Sequence, residues 1–208
     1  AYGNGLAGIA HVVLLLQEDG LEVGASAHQL LVDAVEATEA VPLQQHGLFD
    51  GAVGLDHALS RFAARDDRYA ATSRRFHGRL RAAVRGEVAI AAPSSSDLDL
   101  ISGRAGWLVH FAASAGEEAE DRSLAGDLAR SLSGYVRSVE HPLLGIPAGS
   151  GAAPEAGAAD HCDTGLAHGS AGLLLALSSA LVHGVVDIEV RQVITRLVEA
   201  FLATADHG

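Results

Sequence analysis

The run "HCDTGLAHGSAG", His161 to Gly172, gathers the side chains best able to do chemistry: two histidines, an aspartate and the only cysteine of the chain. Imidazole and thiolate are zinc ligands, and an imidazole is also the usual acid–base group near neutral pH. A zinc site needs at least three protein ligands, commonly from tight pairs such as C-x-x-C or H-x-x-x-H, and His161, Cys162 and His168 match neither spacing. Cys162 therefore reads as lining or packing its loop, and His161 as an ordinary loop histidine. His168 stands directly before a Gly-x-x-Gly, where it either bonds a backbone carbonyl or works as an acid or base. A second polar run, "DLISGRAG" from Asp99 to Gly106, leads into another Gly-x-x-Gly and holds Asp99 and Arg104. Aspartate is a favoured helix N-cap, a structural use compatible with a chemical one.

Groups so far apart in the chain need a scaffold, and the glycines outline it. Four stretches align: "GLAGIAHVVLLL", "GAVGLDHALSRF", "GRAGWLVHFAAS" and "GSAGLLLALSSA", with second glycines at 8, 54, 106 and 172. Each opens an apolar run about three helical turns long, as expected of helix-pair repeats with variable connections. The segments between are amphipathic helices. "ASAHQLLVDAVEATEA" places Leu30, Leu31, Ala34, Val35 and Thr38 on one face, with Ser26 and Gln29 at capping-box spacing. "DIEVRQVITRLVEAFLATA" does the same with Val190, Val193, Ile194, Leu197, Val198, Phe201 and Leu202. Prolines 42, 93, 142, 147 and 154 fall outside these helices. No stretch alternates as a strand does, so the fold is expected to be all-α.

The post-glycine helices are apolar nearly all round and should be buried on every side, whereas the intervening ones keep a charged face. An inner ring of helices wrapped by an outer ring, an α/α toroid, satisfies both patterns. The repeats run over about 1–46, 47–96, 97–160 and 161–208. The glycine turns would gather at one end of the inner barrel, where a site would be built. Trp107, His11, His57 and His110 read as buried and satisfied, and residues 142–160 as a flexible surface loop.

The net charge of −12, with all 14 basic residues arginine, argues against nucleic-acid binding. No apolar run is long enough for a membrane span and no secretion signal is visible, which leaves the cytoplasm as the expected compartment. One cysteine excludes an internal disulfide framework.

These motifs resemble the lanthionine synthetase C-like family, and within it the stand-alone cyclases of class I lanthipeptide biosynthesis. "DLISGRAG" and "DTGLAHGSAG" are similar to the third and fourth glycine motifs. "AYGNGLAGIA" and "GLFDGAVGLDHAL" are similar to the first two, and "HGVVDIEVRQVITRLVEAFL" to the segment after the fourth. The resemblance implies an α/α toroid of seven helix pairs, of which this chain would hold the N-terminal four, about half the ring. It implies a bacterial cytoplasmic enzyme that adds cysteine thiols of a dehydrated precursor peptide to dehydroalanine or dehydrobutyrine, forming thioether rings. Metal binding deprotonates such a thiol, and the enolate left by addition must be protonated. His168 and Asp99 would be catalytic, His168 as the acid or base and Asp99 as its positioning or polarising partner. Arg104 and Asp163 would face the substrate, Asp163 standing where many members have asparagine. The zinc ligands of the family lie in later repeats and so beyond Gly208. A lanthipeptide dehydratase and a complementary C-terminal half are implied partners, because four pairs leave inner-helix surface bare. Two other readings stay open: a zinc-free, peptide-binding or scaffold module, and a carbohydrate-active toroid, for which only Asp99 and Asp163 could supply the carboxylate pair.

Overall fold

The computed structural model describes residues 5–24, 26–40, 43, 45–116, 118–139 and 164–205. They form eight α-helices and two short 3₁₀ turns, with no strand among them. None of the described helices is long and apolar enough to cross a membrane. The chain divides into two compact units, Ala1–Arg85 and Gly86–Gly208.

In the first unit α1 (Leu6–Glu18) packs on α2 (Ala27–Ala40) and α3 (Ala52–Ala63), and α4 (Ala70–Ile90) begins there. Helix α1 starts at Gly5, whose backbone is extended and whose carbonyl accepts from Gly8 and Ile9. It ends in a Schellman turn: Gly20, at φ +78°, lets Leu21 N–H reach the Leu16 carbonyl at 2.9 Å. Alanines on α1 (Ala7, Ala10) meet Leu31 and Ala34 of α2 and Leu55, Leu59 and Phe62 of α3 in one buried cluster. Each large apolar side chain so buried contributes about 1.5–3 kcal/mol. Ser26 caps α2 through its Oγ, but Gln29 does not complete the capping box. Its amide donates instead to Asp33 at 2.7 Å, since a carboxylate one turn on is the stronger acceptor. The α1 helix is not buried all round. Leu6, Ile9, Val12 and Leu15 recur every three residues and are 37–55% exposed, a stripe that no described element covers.

The second unit holds α5 (Arg104–Ser114), α6 (Ala119–Ser138), α7 (Ser170–Val182) and α8 (Ile188–Ala205). Helix α5 packs on both α6 and α7, and α8 lies against α6 and α7. Phe111, Leu128, Leu132, Leu173 and Leu177 are fully buried. Helix α7 ends in a second Schellman turn at Gly184 (φ +69°), and Asp187 Oδ1 caps α8 by accepting from Val190 N–H at 3.0 Å. On α8 the buried face is narrower than its apolar stripe: Val190, Val193 and Leu197 are buried, whereas Val198 and Leu202 are exposed.

Candidate functional site

The glycine motifs of the second unit place their polar residues by packing two loops together. Ahead of α5, a 3₁₀ turn (Ser95–Leu98) is fixed by Asp97, whose Oδ2 accepts from Ser94 N–H at 2.7 Å and Ser94 Oγ–H at 2.9 Å. The chain leaves the turn extended at Asp99. Asp99 Oδ1 then accepts from the Ile101 and Ser102 N–H groups, each at 2.7 Å, and from Ser102 Oγ–H at 3.1 Å. Asp99 is therefore not the N-cap of the inner helix. That position belongs to Gly103, and Asp99 organises the turn before it. A Cβ on Gly103 would stand 2.6 Å from the carbonyl oxygens of Asp99 and Ser96, so glycine serves there for space.

Ahead of α7, Gly169 N–H bonds the Gly165 carbonyl, and the Leu100 N–H of the other loop bonds the Ala167 carbonyl at 3.0 Å. Gly172 makes this approach possible, since a Cβ would run into the Leu166 carbonyl oxygen and lie 3.2 Å from Leu100 Cβ. The joined loops bring His168 to Asp99, and His168 Nδ1 pairs with Asp99 Oδ2. The carboxylate is 14% exposed and the imidazole half exposed.

Burial alone would push the Asp99 carboxyl up. The Ser102 N–H, the hydrogen bond and charge of His168 and the Ile101 N–H outweigh it and hold the group below the ordinary carboxylate value. An ionised carboxylate only accepts, so Nδ1 carries the proton and Nε2 of a neutral His168 is basic. The pair is a carboxylate-oriented imidazole, able to take up a proton at Nε2 and return it. Ser102 completes it, and the signal was local: a hydroxyl three residues after an aspartate is an Asx-turn pattern.

Arg104, which the resemblance implies would face the substrate, is buried. Its side chain is 2% exposed, with Nη1 donating to the Ala91 carbonyl at 3.0 Å and Nε 3.0 Å from Asp97 Oδ1. The guanidinium lies 6.0 Å from the Trp107 ring centroid. It is a buried strut tying the 3₁₀ turn to α5. Asp163, with His161, Cys162 and residues 142–160, falls outside the described residues. His11 and His110 are buried and His57 partly so; His11 and His57 meet edge to face at 5.6 Å. Zinc does not fit the described pair. Asp99 and His168 offer two donors where a zinc site takes three or four, and both Asp99 oxygens are already engaged.

Comparison with known proteins supplies the family. A family model described as "Lanthionine synthetase C-like protein" matches residues 1–206. Among solved structures the chain is similar to "Nisin cyclase", with a TM-score of 0.73 at 16% identity over 95% of this chain and 50% of that one. The chain thus spans about half the length of that protein. At such identity the likeness is one of fold, all-α and of the helical-toroid type. No curated protein matches the sequence.

Proposed function

The chain belongs to the lanthionine synthetase C-like family, and on that premise we propose that it acts in a lanthipeptide cyclase, joining peptide cysteines to dehydroalanine or dehydrobutyrine. One observation carries the reading: the Asp99–His168 pair, built where the third and fourth glycine motifs meet. The reaction adds S–H across a C=C bond. The thiol sulfur bonds the β-carbon, the π electrons move to give an enolate, and a proton is delivered to the α-carbon. His168 Nε2 moves that proton, and Asp99 keeps Nδ1 protonated and stabilises the imidazolium between the two transfers.

Four helix-pair repeats, about 1–46, 47–96, 97–160 and 161–208, belong to the same proposal. Zinc, with which the family is associated, would be held by residues other than the described pair and would supply a deprotonated thiol. The partners are the dehydrated precursor peptide and its dehydratase.

The test uses a synthetic peptide with one dehydroalanine and one cysteine, with zinc supplied. Ring formation leaves the mass unchanged, so it is read as the loss of the thiol that N-ethylmaleimide would label. Wild-type protein accelerates that loss, and His168→Ala lowers the rate about 10²–10⁴-fold. Wild-type protein that fails to beat buffer would sink the proposal.

A further inference from the structure

Helix α4 departs from the charge of its chain. In a protein of net charge −12 it carries Arg74, Arg75, Arg79, Arg81 and Arg85 against the single acid Glu87. Arg75 and Arg79 are four residues apart on one face and exposed, and neither has a carboxylate partner among the described residues. Like charges at that spacing weaken a helix unless something compensates them. Both line a cavity of about 480 Å³ in the first unit, walled by α2 and α4. Its floor is apolar (Val35, Phe76, Leu80), His46 also lines it, and no described acid does.

We propose that this cleft docks an acidic segment of the substrate peptide, remote from the residues that form the ring. The proposal rests on the reading of the chain as a peptide-modifying enzyme. A large apolar side chain of the segment fills the floor, while its carboxylates pair with Arg75 and Arg79. The volume takes one or two side chains, and the positive rim selects an acidic peptide where the rest of the protein repels one. Such docking raises the local concentration of the reacting part without touching its chemistry.

The probe is a fluorescein-labelled peptide of alternating Asp and Leu, with no cysteine and no dehydro residue, read by anisotropy. It binds wild-type protein, and binding weakens with salt. The double variant Arg75→Glu/Arg79→Glu weakens it at least about tenfold, a loss of about 1.4 kcal/mol or more. Arg74→Glu, on the same helix but outside the cleft, keeps binding within about twofold and controls for folding. An Asn/Leu twin of the probe binds no better than the double variant binds the original. Equal binding by the double variant, equal binding of the Asn twin, or displacement by a DNA oligonucleotide more readily than by unlabelled probe would each overturn the proposal. The two readings fail separately. Ring formation without probe binding removes the docking site and leaves the cyclase, whereas Arg-dependent probe binding without ring formation leaves the docking site and removes the cyclase.

Discussion

Replacing Asp99 with asparagine separates what the residue holds from what it does. Asparagine keeps a carbonyl oxygen where Oδ1 stands, so the Ile101 and Ser102 N–H groups, each at 2.7 Å, keep their acceptor. The other edge changes sign: an amide NH₂ now faces the ring nitrogen that Oδ2 had accepted from. Two donors cannot bond, so the neutral imidazole moves its proton to Nε2, and the basic nitrogen turns inward. The stability cost is that of charge-assisted bonds becoming neutral ones, about 1–2 kcal/mol, or roughly 3–6 °C in Tm for a chain of this size. Asp99→Ala strips the acceptor from two N–H groups and a hydroxyl and costs about 2–4 kcal/mol. Ring formation falls about 10²–10⁴-fold in Asp99→Asn, with KM little changed. The depressed pKa adds a pH signature. The stabilisation that Asp99's own ionisation gives is complete above its ordinary value near 3.8 and is lost as pH falls through the lower folded value, so the gap between wild type and Asp99→Ala narrows below about 4. Thiol-alkylation kinetics and thermal melts decide it. A folded Asp99→Asn protein that forms rings within a few-fold of the wild-type rate would refute the orientation argument.

Gly172→Ala forces its Cβ onto the Leu166 carbonyl and should part the two loops, destabilising by about 2–3 kcal/mol and slowing ring formation together; a melt within 1–2 °C of wild type counts against the packing described. Arg104→Met leaves the Ala91 carbonyl and Asp97 without their buried cation, at a cost of about 2–4 kcal/mol, yet keeps KM once folded. A large rise in KM at unchanged Tm would make Arg104 a substrate contact after all. Burial, reinforced by Arg61 and Arg65, lowers the pKa of His11, so the unfolded chain takes up a proton there first. Stability that His11 permits above about pH 6.5 is therefore lost as pH falls towards its folded value. Urea midpoints at pH 7.5 and 5.5 should differ more for wild type than for His11→Leu, and equal differences would rule out this source.

The helices and the pair were legible for one reason: a Gly-x-x-Gly marks both a helix start and a place where another loop comes close. Gly169 is the N-cap of α7, and Gly172, three residues on, leaves room for the Leu166 carbonyl and for Leu100 of the other loop. Asp99 and His168 could each be singled out by their position ahead of such a motif, but nothing local joins residues 69 apart, and only the loop-to-loop bond from Leu100 to Ala167 accounts for their meeting. The burial of Arg104 was not legible, because a charge at a helix start carries no local mark of what covers it. Its burial depends on Asp97 and the Ala91 carbonyl, which the preceding turn folds back over it, and Ser94 three residues before Asp97 was the one local hint of that turn. Periodicity likewise gives the direction of an apolar stripe and not its covered width, which is why Val198 and Leu202 of α8 stay exposed. The same limit hid the α4 cleft. Arg75 and Arg79 have the spacing of any solvated helix face, and a solvated arginine and a docking arginine differ only in what surrounds them: here a cavity with an apolar floor and no acid among its described lining residues.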